Sequence, residues 1–272
     1  MASHRQRNDR RGPVKSAPYD PARVAVSHRP RPKDPAAGEW VWGLHPVMAA
    51  LANPRREVIK RLLATADRAA QIAKRFGDTH RAEIVETQVI GQILPQGAAH
   101  QGLALRAEPP EPVSVHDIGE PATGFILMLD QVTDPQNVGA IFRSAAAFGA
   151  RGVILQDRHA PALAGAVAKA AAGAIDQIPH VRAVNLSRAL EDLEGMGWRA
   201  VGLDGEAKTT LEAALDGSPT VLVMGSEGEG IRRLVAEHCD LMARIDMPGG
   251  FESLNVSAAA AVALYAASRA GR

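Results

Sequence analysis

The chain has 272 residues, of which 46% are hydrophobic and 22% charged, with a formal net charge of +1. This length and balance are typical of a soluble, globular protein with one or two cores. The single cysteine, Cys239, cannot form an internal disulfide, which favours a reducing, cytoplasmic setting. No run of 18 apolar residues and no signal-peptide pattern occurs, so no membrane association is predicted.

The charge is unevenly distributed along the chain. Residues 1–38 hold nine Lys or Arg against three Asp, a local charge of +6 that leaves −5 for the remainder. They also contain six prolines and few large apolar side chains, so they cannot offset the entropy cost of ordering and are predicted to be a disordered basic tail. Such a tail either improves solubility or contacts nucleic-acid phosphates, and the sequence leaves both alternatives open.

Residues 39–107 predict a small α/β domain, with ordered structure beginning at Trp40. Hydrophobic patterning predicts helices at 45–52, 69–76 and 87–94, and strands at 58–63, 83–85 and 102–106. Residues 108–122 begin with a proline-rich stretch and are predicted to be a linker.

Residues 123–272 predict a second, larger α/β domain. Its predicted strands are 125–129, 152–155, 198–203, 220–224 and 242–245. Its predicted helices are 138–148, 163–172, 186–193, 231–237 and 256–268. Alternating strands and helices indicate a mostly parallel sheet covered on both faces.

Three segments, 129–143, 221–230 and 245–257, each pass from a strand through a polar or Gly-rich loop towards a helix. Ligands of open α/β sheets bind at such strand ends, so a binding crevice is predicted there. In the first segment, Asn137 is either a helix cap or a site residue. The helical neighbours of Arg143 are Gly or Ala, which leaves its guanidinium open to a ligand or another chain. A surface salt bridge is the alternative for this arginine.

The second segment contains Gly225-Ser-Glu-Gly-Glu-Gly230. It lacks the Lys-Ser/Thr pair of a P-loop and the third glycine of the dinucleotide fingerprint. Glu227 and Glu229 would repel a phosphate at close range. The loop therefore favours an adenosine-bearing ligand without phosphates, such as S-adenosylmethionine, and a plain glycine turn is the alternative.

In the third segment, Asn255 and Ser257 are either helix-start residues or ligand-orienting side chains. The nine histidines show no metal-ligand spacing, so no metal is predicted. Cys239 is interpreted as a small buried apolar residue rather than a nucleophile. No Gly-x-Ser-x-Gly sequence of a hydrolase occurs.

The motifs Asp-Pro-x-Asn-x-Gly-Ala-x-x-Arg at 134–143, Met-Gly-x-Glu-Gly-x-Gly at 224–230 and Ser-Leu-Asn-Val-Ser at 253–257 occur in this order. Over residues 124–270 the chain resembles the SpoU/TrmH branch of the SPOUT RNA methyltransferases. Segments 43–51 and 100–102 resemble the L30e-like substrate-binding domain of the RlmB-type enzymes, which methylate a guanosine ribose 2′-oxygen in large-subunit ribosomal RNA.

The resemblance implies a trefoil knot, a homodimer and S-adenosylmethionine as the methyl donor, without a metal. Knots are rare exceptions to chain topology, so periodicity could not predict one. The family's donor-binding positions correspond to Gly225, Ile245 and Leu254. Its active-site positions correspond to Asn137, Arg143, Glu227, Asn255 and Ser257.

The mechanism implied by the family has Arg143 against the 2′-hydroxyl and an RNA phosphate, where it accepts the proton or polarises the hydroxyl. Asn255 and Ser257 would orient this guanidinium, and Asn137 would orient the ribose. Glu227 would hold the ligand or the partner subunit's arginine. Two departures from the family pattern are Asp246, where relatives more often have proline, and the basic tail.

The sequence leaves three other functions as alternatives. One is ribose methylation of transfer RNA, and a second is non-catalytic RNA binding in ribosome assembly. The third, a Rossmann dehydrogenase, is disfavoured by the missing glycine fingerprint.

Overall fold

The computed structural model describes residues 40–56, 59–250 and 253–270, and all of them belong to one compact unit. The predicted disordered tail, 1–38, lies outside the described residues. None of the described helices is long and apolar enough to cross a membrane.

The first part of the chain forms a four-stranded sheet with the strand order β1-β4-β2-β3. Strand β4 is antiparallel to β1 and β2, and β3 is parallel to β2. We call residues 40–107 the small-sheet unit. Its elements are β1 (Trp40–Trp42), α1 (Leu44–Ala52), β2 (Ile59–Ala64), α2 (Ala66–Phe76), a 3-10 turn (Gly77–Thr79), β3 (Glu83–Ile84), α3 (Thr87–Ile93) and β4 (Leu103–Ala107).

The segment predicted to be a linker, 108–122, contains the helix α4 (Val115–Gly119). A reciprocal capping box starts this helix, because the Ser114 hydroxyl accepts from the Asp117 N–H while the Asp117 carboxylate accepts from the Ser114 N–H. The Trp198 indole donates to the carbonyl of Gly119 at 2.7 Å. The segment is therefore not a simple extended connection, since its helix is bound to the larger sheet.

The rest of the chain, residues 123–270, forms the large-sheet unit. Its seven strands have the order β7-β6-β5-β10-β8-β11-β9, and every pairing is parallel. The strands are β5 (Phe125–Leu129), β6 (Val153–Gln156), β7 (His180–Ala183), β8 (Arg199–Leu203), β9 (Thr209–Thr210), β10 (Thr220–Met224) and β11 (Leu241–Arg244). The helices are α5 (Pro135–Phe148), α6 (Gly165–Ala171), α7 (Leu186–Gly195), α8 (Leu211–Ala214), α9 (Arg233–Ala236) and α10 (Val256–Arg269).

The predicted α/β class with a mostly parallel sheet is confirmed. All residues of the central strands β5 and β10 are buried, as expected for parallel strands covered on both faces. One face packs on α5 and α10 through residues such as Ile141, Phe142 and Leu264. The other face packs on α7 through residues such as Leu186 and Leu190.

The start of α5 differs from the prediction. The helix begins at Pro135, and its N-cap is Asp134, whose carboxylate accepts from the N–H groups of Gln136 and Asn137. Proline at the first helical position is favourable, because its missing N–H is not needed there. The possible cap role of Asn137 is therefore wrong, and its side chain is free for another use.

Candidate active site

Neighbouring parallel strands place the three predicted loops together. Leu129 at the end of β5 pairs with Met224 at the end of β10, so the first and second loops leave the sheet side by side. The third loop follows β11 and leads into α10. All three loops therefore lie at the carboxyl edge of the sheet, where α/β proteins bind ligands.

Glu227 connects the three loops through one carboxylate oxygen. Its Oε1 accepts from the Nδ2 of Asn137 at 3.2 Å, from the Nδ2 of Asn255 at 2.8 Å and from the N–H of Val256 at 3.1 Å. Hydrogen bonds to an ionised acceptor are stronger than neutral ones. The structure thus brings three predicted active-site residues into one network.

Asn255 is both a helix cap and a member of this network. Its Oδ1 accepts from the N–H of Ser257 at 2.9 Å and from the hydroxyl of Ser257 at 2.5 Å, while its Nδ2 also donates to the Oδ1 of Asn137 at 3.0 Å. The two alternatives considered for Asn255 are therefore compatible. Capping fixes the side chain whose amide reaches the other loops.

Arg143 lies apart from the network. It is exposed and follows Asn137 by six residues on the same helix, which is about 9 Å along the axis. Within the described residues, no hydrogen bond or ion pair involves its side chain. Among the described residues, Asn255 and Ser257 bond to each other, and neither makes the hydrogen bond to Arg143 that the resemblance implies.

A cavity of about 590 Å³ adjoins this network, a size typical of small-molecule sites. The three predicted donor-binding residues Gly225, Ile245 and Leu254 all line it, as does Glu227. Its other carboxylates are Asp204, Glu206 and Glu229, and no Lys, Arg or His is among its described lining residues. These carboxylates fit a cationic ligand without phosphates, since their negative charge would repel a phosphate.

Gly225 is required by the loop itself. A Cβ at this position would lie 2.0 Å from the carbonyl carbon of Gly230. The loop closes there, because Ser226 and Gly230 exchange two backbone hydrogen bonds of 3.1 Å. Glycine at position 225 therefore allows the backbone at the two ends of the loop to approach closely. The neighbouring departure from the family pattern, Asp246, is exposed between the cavity-lining residues Ile245 and Met247.

Asp130 and Arg232 also hold this site, and neither was predicted from the sequence. Asp130 directly follows β5 and is completely buried. Its carboxylate accepts from the N–H and the Nε of Arg232, both at 2.8 Å. A carboxylate at the end of a fully apolar strand was the available signal. The pair fixes the end of the Gly225–Gly230 loop relative to β5.

Cys239 is disfavoured as a nucleophile. Burial, with smaller contributions from Asp240 and Asp130, raises the pKa of the Cys239 thiol to about 12, so its nucleophilic thiolate form is disfavoured. Among the described residues, no group of three or more His, Cys, Asp or Glu is arranged to hold a metal ion.

Two family models match the chain. The model of the SpoU rRNA Methylase family matches residues 124–265, which is more than half of the sequence. The chain belongs to the SpoU rRNA methylase family. A second model, described as RNA 2′-O ribose methyltransferase substrate binding, matches residues 40–113. The resemblance inferred from the three motifs is thereby confirmed.

Relatives within the SpoU rRNA methylase family extend over most of the chain. The 23S rRNA (guanosine-2′-O-)-methyltransferase RlmB of Xylella fastidiosa (strain 9a5c) is 37% identical, with 85% of this chain and 96% of that protein covered. An uncharacterized tRNA/rRNA methyltransferase of Mycobacterium avium (strain 104) is 36% identical, with 97% and 91% covered.

Solved structures show the same fold. The AdoMet-bound rRNA methyltransferase from Sinorhizobium meliloti has a TM-score of 0.73 at 26% identity, covering 86% of this chain and 87% of that one. The SpoU methyltransferase AviRb from Streptomyces viridochromogenes, in complex with AdoMet, also has a TM-score of 0.73, at 24% identity and with 85% and 90% covered. At the latter identity the similarity shows the fold alone.

Proposed function

We propose that this SpoU family member transfers a methyl group from S-adenosylmethionine to the ribose 2′-oxygen of a guanosine in 23S ribosomal RNA. The observation that carries the proposal is the hydrogen-bonded set Asn137–Glu227–Asn255–Ser257 beside an acidic cavity. The RlmB relative, which aligns over 85% of the chain, supports the choice of substrate. That substrate also supports the predicted cytoplasmic location.

The cavity is the proposed donor site. Gly225, Ile245 and Leu254 line its wall and would hold the donor, while the surrounding carboxylates favour its positive charge. S-adenosylmethionine bound there supplies a methyl group already activated by its sulfonium. The protein's task is then to hold the ribose oxygen in line, and such positioning supplies a large share of many rate enhancements.

Asn137 is the proposed ribose-positioning residue. Its amide is held on both sides, with Nδ2 donating to Glu227 and Oδ1 accepting from Asn255. A side chain fixed in this way loses little further entropy when a substrate binds. Ser257 holds Asn255 in turn through its hydroxyl.

Arg143 is the proposed group that contacts the reacting hydroxyl and a neighbouring RNA phosphate. Its exposed guanidinium donates hydrogen bonds that polarise the hydroxyl, or, as the neutral guanidine, accepts the proton of the hydroxyl. Because Arg143 lies outside the network of its own chain, we propose a homodimer in which it completes the site of the other subunit. The knotted topology and the L30e-like nature of the small-sheet unit belong to the same proposal.

A second candidate substrate is transfer RNA. The Mycobacterium avium relative, which aligns over 97% of the chain, bears a name that includes both transfer and ribosomal RNA. The two substrates differ in the RNA that the small-sheet unit would contact, while the chemistry at the ribose is the same.

The experiment combines purified protein, tritiated S-adenosylmethionine, and either unmodified 23S RNA or unmodified transfer RNA. Label retained on a 2′-oxygen of 23S RNA, located by ribose-methylation mapping, would support the first candidate. Label on transfer RNA alone would replace it with the second. Assembling large subunits are tested as a third substrate. Donor binding with no label on any of the three substrates would contradict both candidates and leave a non-catalytic RNA-binding protein.

A further inference from the structure

A buried ion pair joins the two sheets. Arg56 follows α1 in the small-sheet unit, and Asp176 ends a 3-10 turn (Ala174–Asp176) after α6. The Nε and Nη2 of Arg56 donate to the two carboxylate oxygens of Asp176 at 2.6 and 3.1 Å. Their side chains are only 1% and 3% exposed.

Two further groups complete this cluster. The Nδ2 of Asn53 donates to Asp176 at 3.0 Å, and the Nη1 of Arg56 donates to the carbonyl of Glu108 at 2.5 Å. A charge withdrawn from water is tolerated only when its partners are well placed. The cluster therefore allows a narrow range of orientations, whereas apolar packing alone is non-directional.

The same segment of the large-sheet unit meets the small-sheet unit at two more points. Gly173, with φ +97°, lies so close to α1 that a Cβ would be 2.8 Å from the Cβ of Ala49 and 3.1 Å from the carbonyl oxygen of His45. The Nζ of Lys169 donates to the carbonyl of Ala99 at 2.9 Å. These three separate contacts fix the orientation of the small-sheet unit relative to the large-sheet unit more tightly than one contact would.

The opposite side of α6 touches the catalytic helix α5. A Cβ on Gly139 would lie 2.5 Å from the Cβ of Ala170 and 2.6 Å from the carbonyl oxygen of Val167. The two helices are therefore in direct backbone contact within one turn of Asn137 and Arg143. The α6 segment thus connects the small-sheet unit to the helix that bears the proposed catalytic residues.

We propose that Arg56 and Asp176 are positioning residues that lock the small-sheet unit in one orientation relative to α5 and so determine which nucleotide reaches the site. The substrate-selecting part rests on the proposed function. RNA bound to the small-sheet unit therefore presents only the ribose that lies at the fixed distance from Asn137 of the same chain. Loosening the lock therefore broadens the choice of nucleotide without altering the donor cavity.

The main test variant is Arg56→Met with Asp176→Asn, which removes both charges and leaves no isolated buried ion. The matched control is Arg199→Met with Asp216→Asn, which removes an ion pair at the start of β8, the end of the sheet remote from the site. Lys169→Met is a milder second variant, because it removes a different contact between the small-sheet unit and the large-sheet unit. Circular dichroism establishes that each variant is folded.

The lock itself is tested without any activity. Spin labels on Gln88→Cys and Glu194→Cys, both exposed positions, are placed in a Cys239→Ala background, and their separation is measured by pulsed electron resonance. We expect a narrow distance distribution in the otherwise unaltered protein and the control, and one at least about twice as broad in the lock variant. A broad distribution in the otherwise unaltered protein would overturn the proposed lock. So would a distribution that is broadened neither in the Arg56 and Asp176 variant nor in Lys169→Met.

Nucleotide selection is tested by kinetics and by ribose-methylation mapping. In the lock variant we expect at least a tenfold loss of kcat/KM for 23S RNA, mostly in KM, new methylation at neighbouring nucleotides, and a donor Kd within twofold of the wild-type value. Unchanged mapping and kcat/KM in a variant with a broadened distance distribution would overturn the substrate-selecting part. Absence of methylation by the wild type would instead contradict the proposed function, and the distance measurement would still decide the lock.

Discussion

Asp130 and Arg232 form an ion pair in which the carboxylate is completely inaccessible and the arginine is bound through both its backbone and its side chain. This single contact joins the end of β5 to the end of the Gly225–Gly230 loop. We therefore expect the three-loop network around Glu227 to depend on a pair that does not belong to it.

Asp130→Ala should weaken both stability and donor binding. The substitution leaves the N–H and guanidinium of Arg232 without their acceptor, but the guanidinium is 42% exposed and recovers water. We therefore expect a loss of about 2 kcal/mol in the free energy of unfolding, measured with urea, and about a tenfold weaker donor Kd by calorimetry. Asp216→Ala, which breaks an exposed pair, should cost less than about 1 kcal/mol. Equal effects of both substitutions would contradict the anchoring role of Asp130.

Glu227 substitutions should separate the acceptor from the charge. Glu227→Gln keeps an oxygen for Asn137, Asn255 and Val256 but loses the charge that strengthens those bonds, so we expect kcat to fall about tenfold. Glu227→Ala removes all three bonds, and we expect a loss of about 10²–10³, since each lost bond costs about 1 kcal/mol or more. Single-turnover methylation measures both. The control is Glu229→Gln in the same loop, and a similar loss there would indicate a general charge effect.

Gly225→Ala should open the donor loop. The added methyl group would lie within 2.0 Å of the Gly230 carbonyl carbon, so the backbone bridge between Ser226 and Gly230 must break. We expect at least a tenfold weaker donor Kd. Gly249→Ala is the matched control, because a Cβ there meets nothing within 4 Å. Normal donor affinity in Gly225→Ala would show that the closed loop is not needed for binding.

His180 should make the protein sensitive to mild acid. Burial, reinforced by Arg182 and Arg55, lowers the pKa of His180 from 6.5 to about 3, and its ring packs edge-on against Phe142. Between these values the unfolded chain binds a proton that the folded chain does not, so stability is full above pH 6.5 and declines as pH falls towards 3. We expect a loss on the order of 2–3 kcal/mol from His180 between pH 7.5 and 4.5.

Urea unfolding of the wild type and His180→Leu at both pH values checks this expectation. The leucine variant lacks the titrating group, so its stability should fall less between the two pH values. Parallel declines in the two proteins would mean that other groups cause the acid sensitivity.

The sequence predicted five of the seven strands of the large sheet and missed β7 and β9. Strands β5 and β10 were predicted with the bounds that the structure has, because each is an uninterrupted apolar run. Strand β7 contains His180 and Arg182, which weakens its apolar pattern. Strand β9 has only two residues, and its pairing with β11 depends on tertiary structure.

Within the site, the motifs predicted the members of the Glu227 network but not their hydrogen bonds. They also grouped Arg143 with these residues, although it lies apart from the network within the single chain. Asn137 looked suited to cap α5, yet Asp134 and Pro135 compete successfully for that position. The pair of Arg56 and Asp176 spans 120 residues of chain. A contact between single charged residues so far apart leaves no local pattern, so a single sequence could not reveal it.

Arg143→Ala should abolish methylation while leaving the protein otherwise intact. The side chain is exposed and has no hydrogen-bond or ion-pair partner among the described residues, so the melting temperature should stay within about 2 °C of the wild-type value. The donor Kd should change by less than about threefold, because Arg143 is not among the described residues that line the cavity. Turnover should fall by about 10³ or more if the guanidinium contacts the reacting hydroxyl.

Arg143→Lys is the matched variant, since it keeps the positive charge but loses the planar, forked donor set. We expect Arg143→Lys to keep the RNA affinity of the wild type, measured by filter binding, but not to recover the turnover lost in Arg143→Ala. Mixing Arg143→Ala with Glu227→Ala subunits adds a test of the homodimer, because a site built from two chains regains one intact copy in the mixed dimer. Near-normal turnover of Arg143→Ala would refute the assignment, and no recovery in the mixture would place Arg143 with its own chain's site.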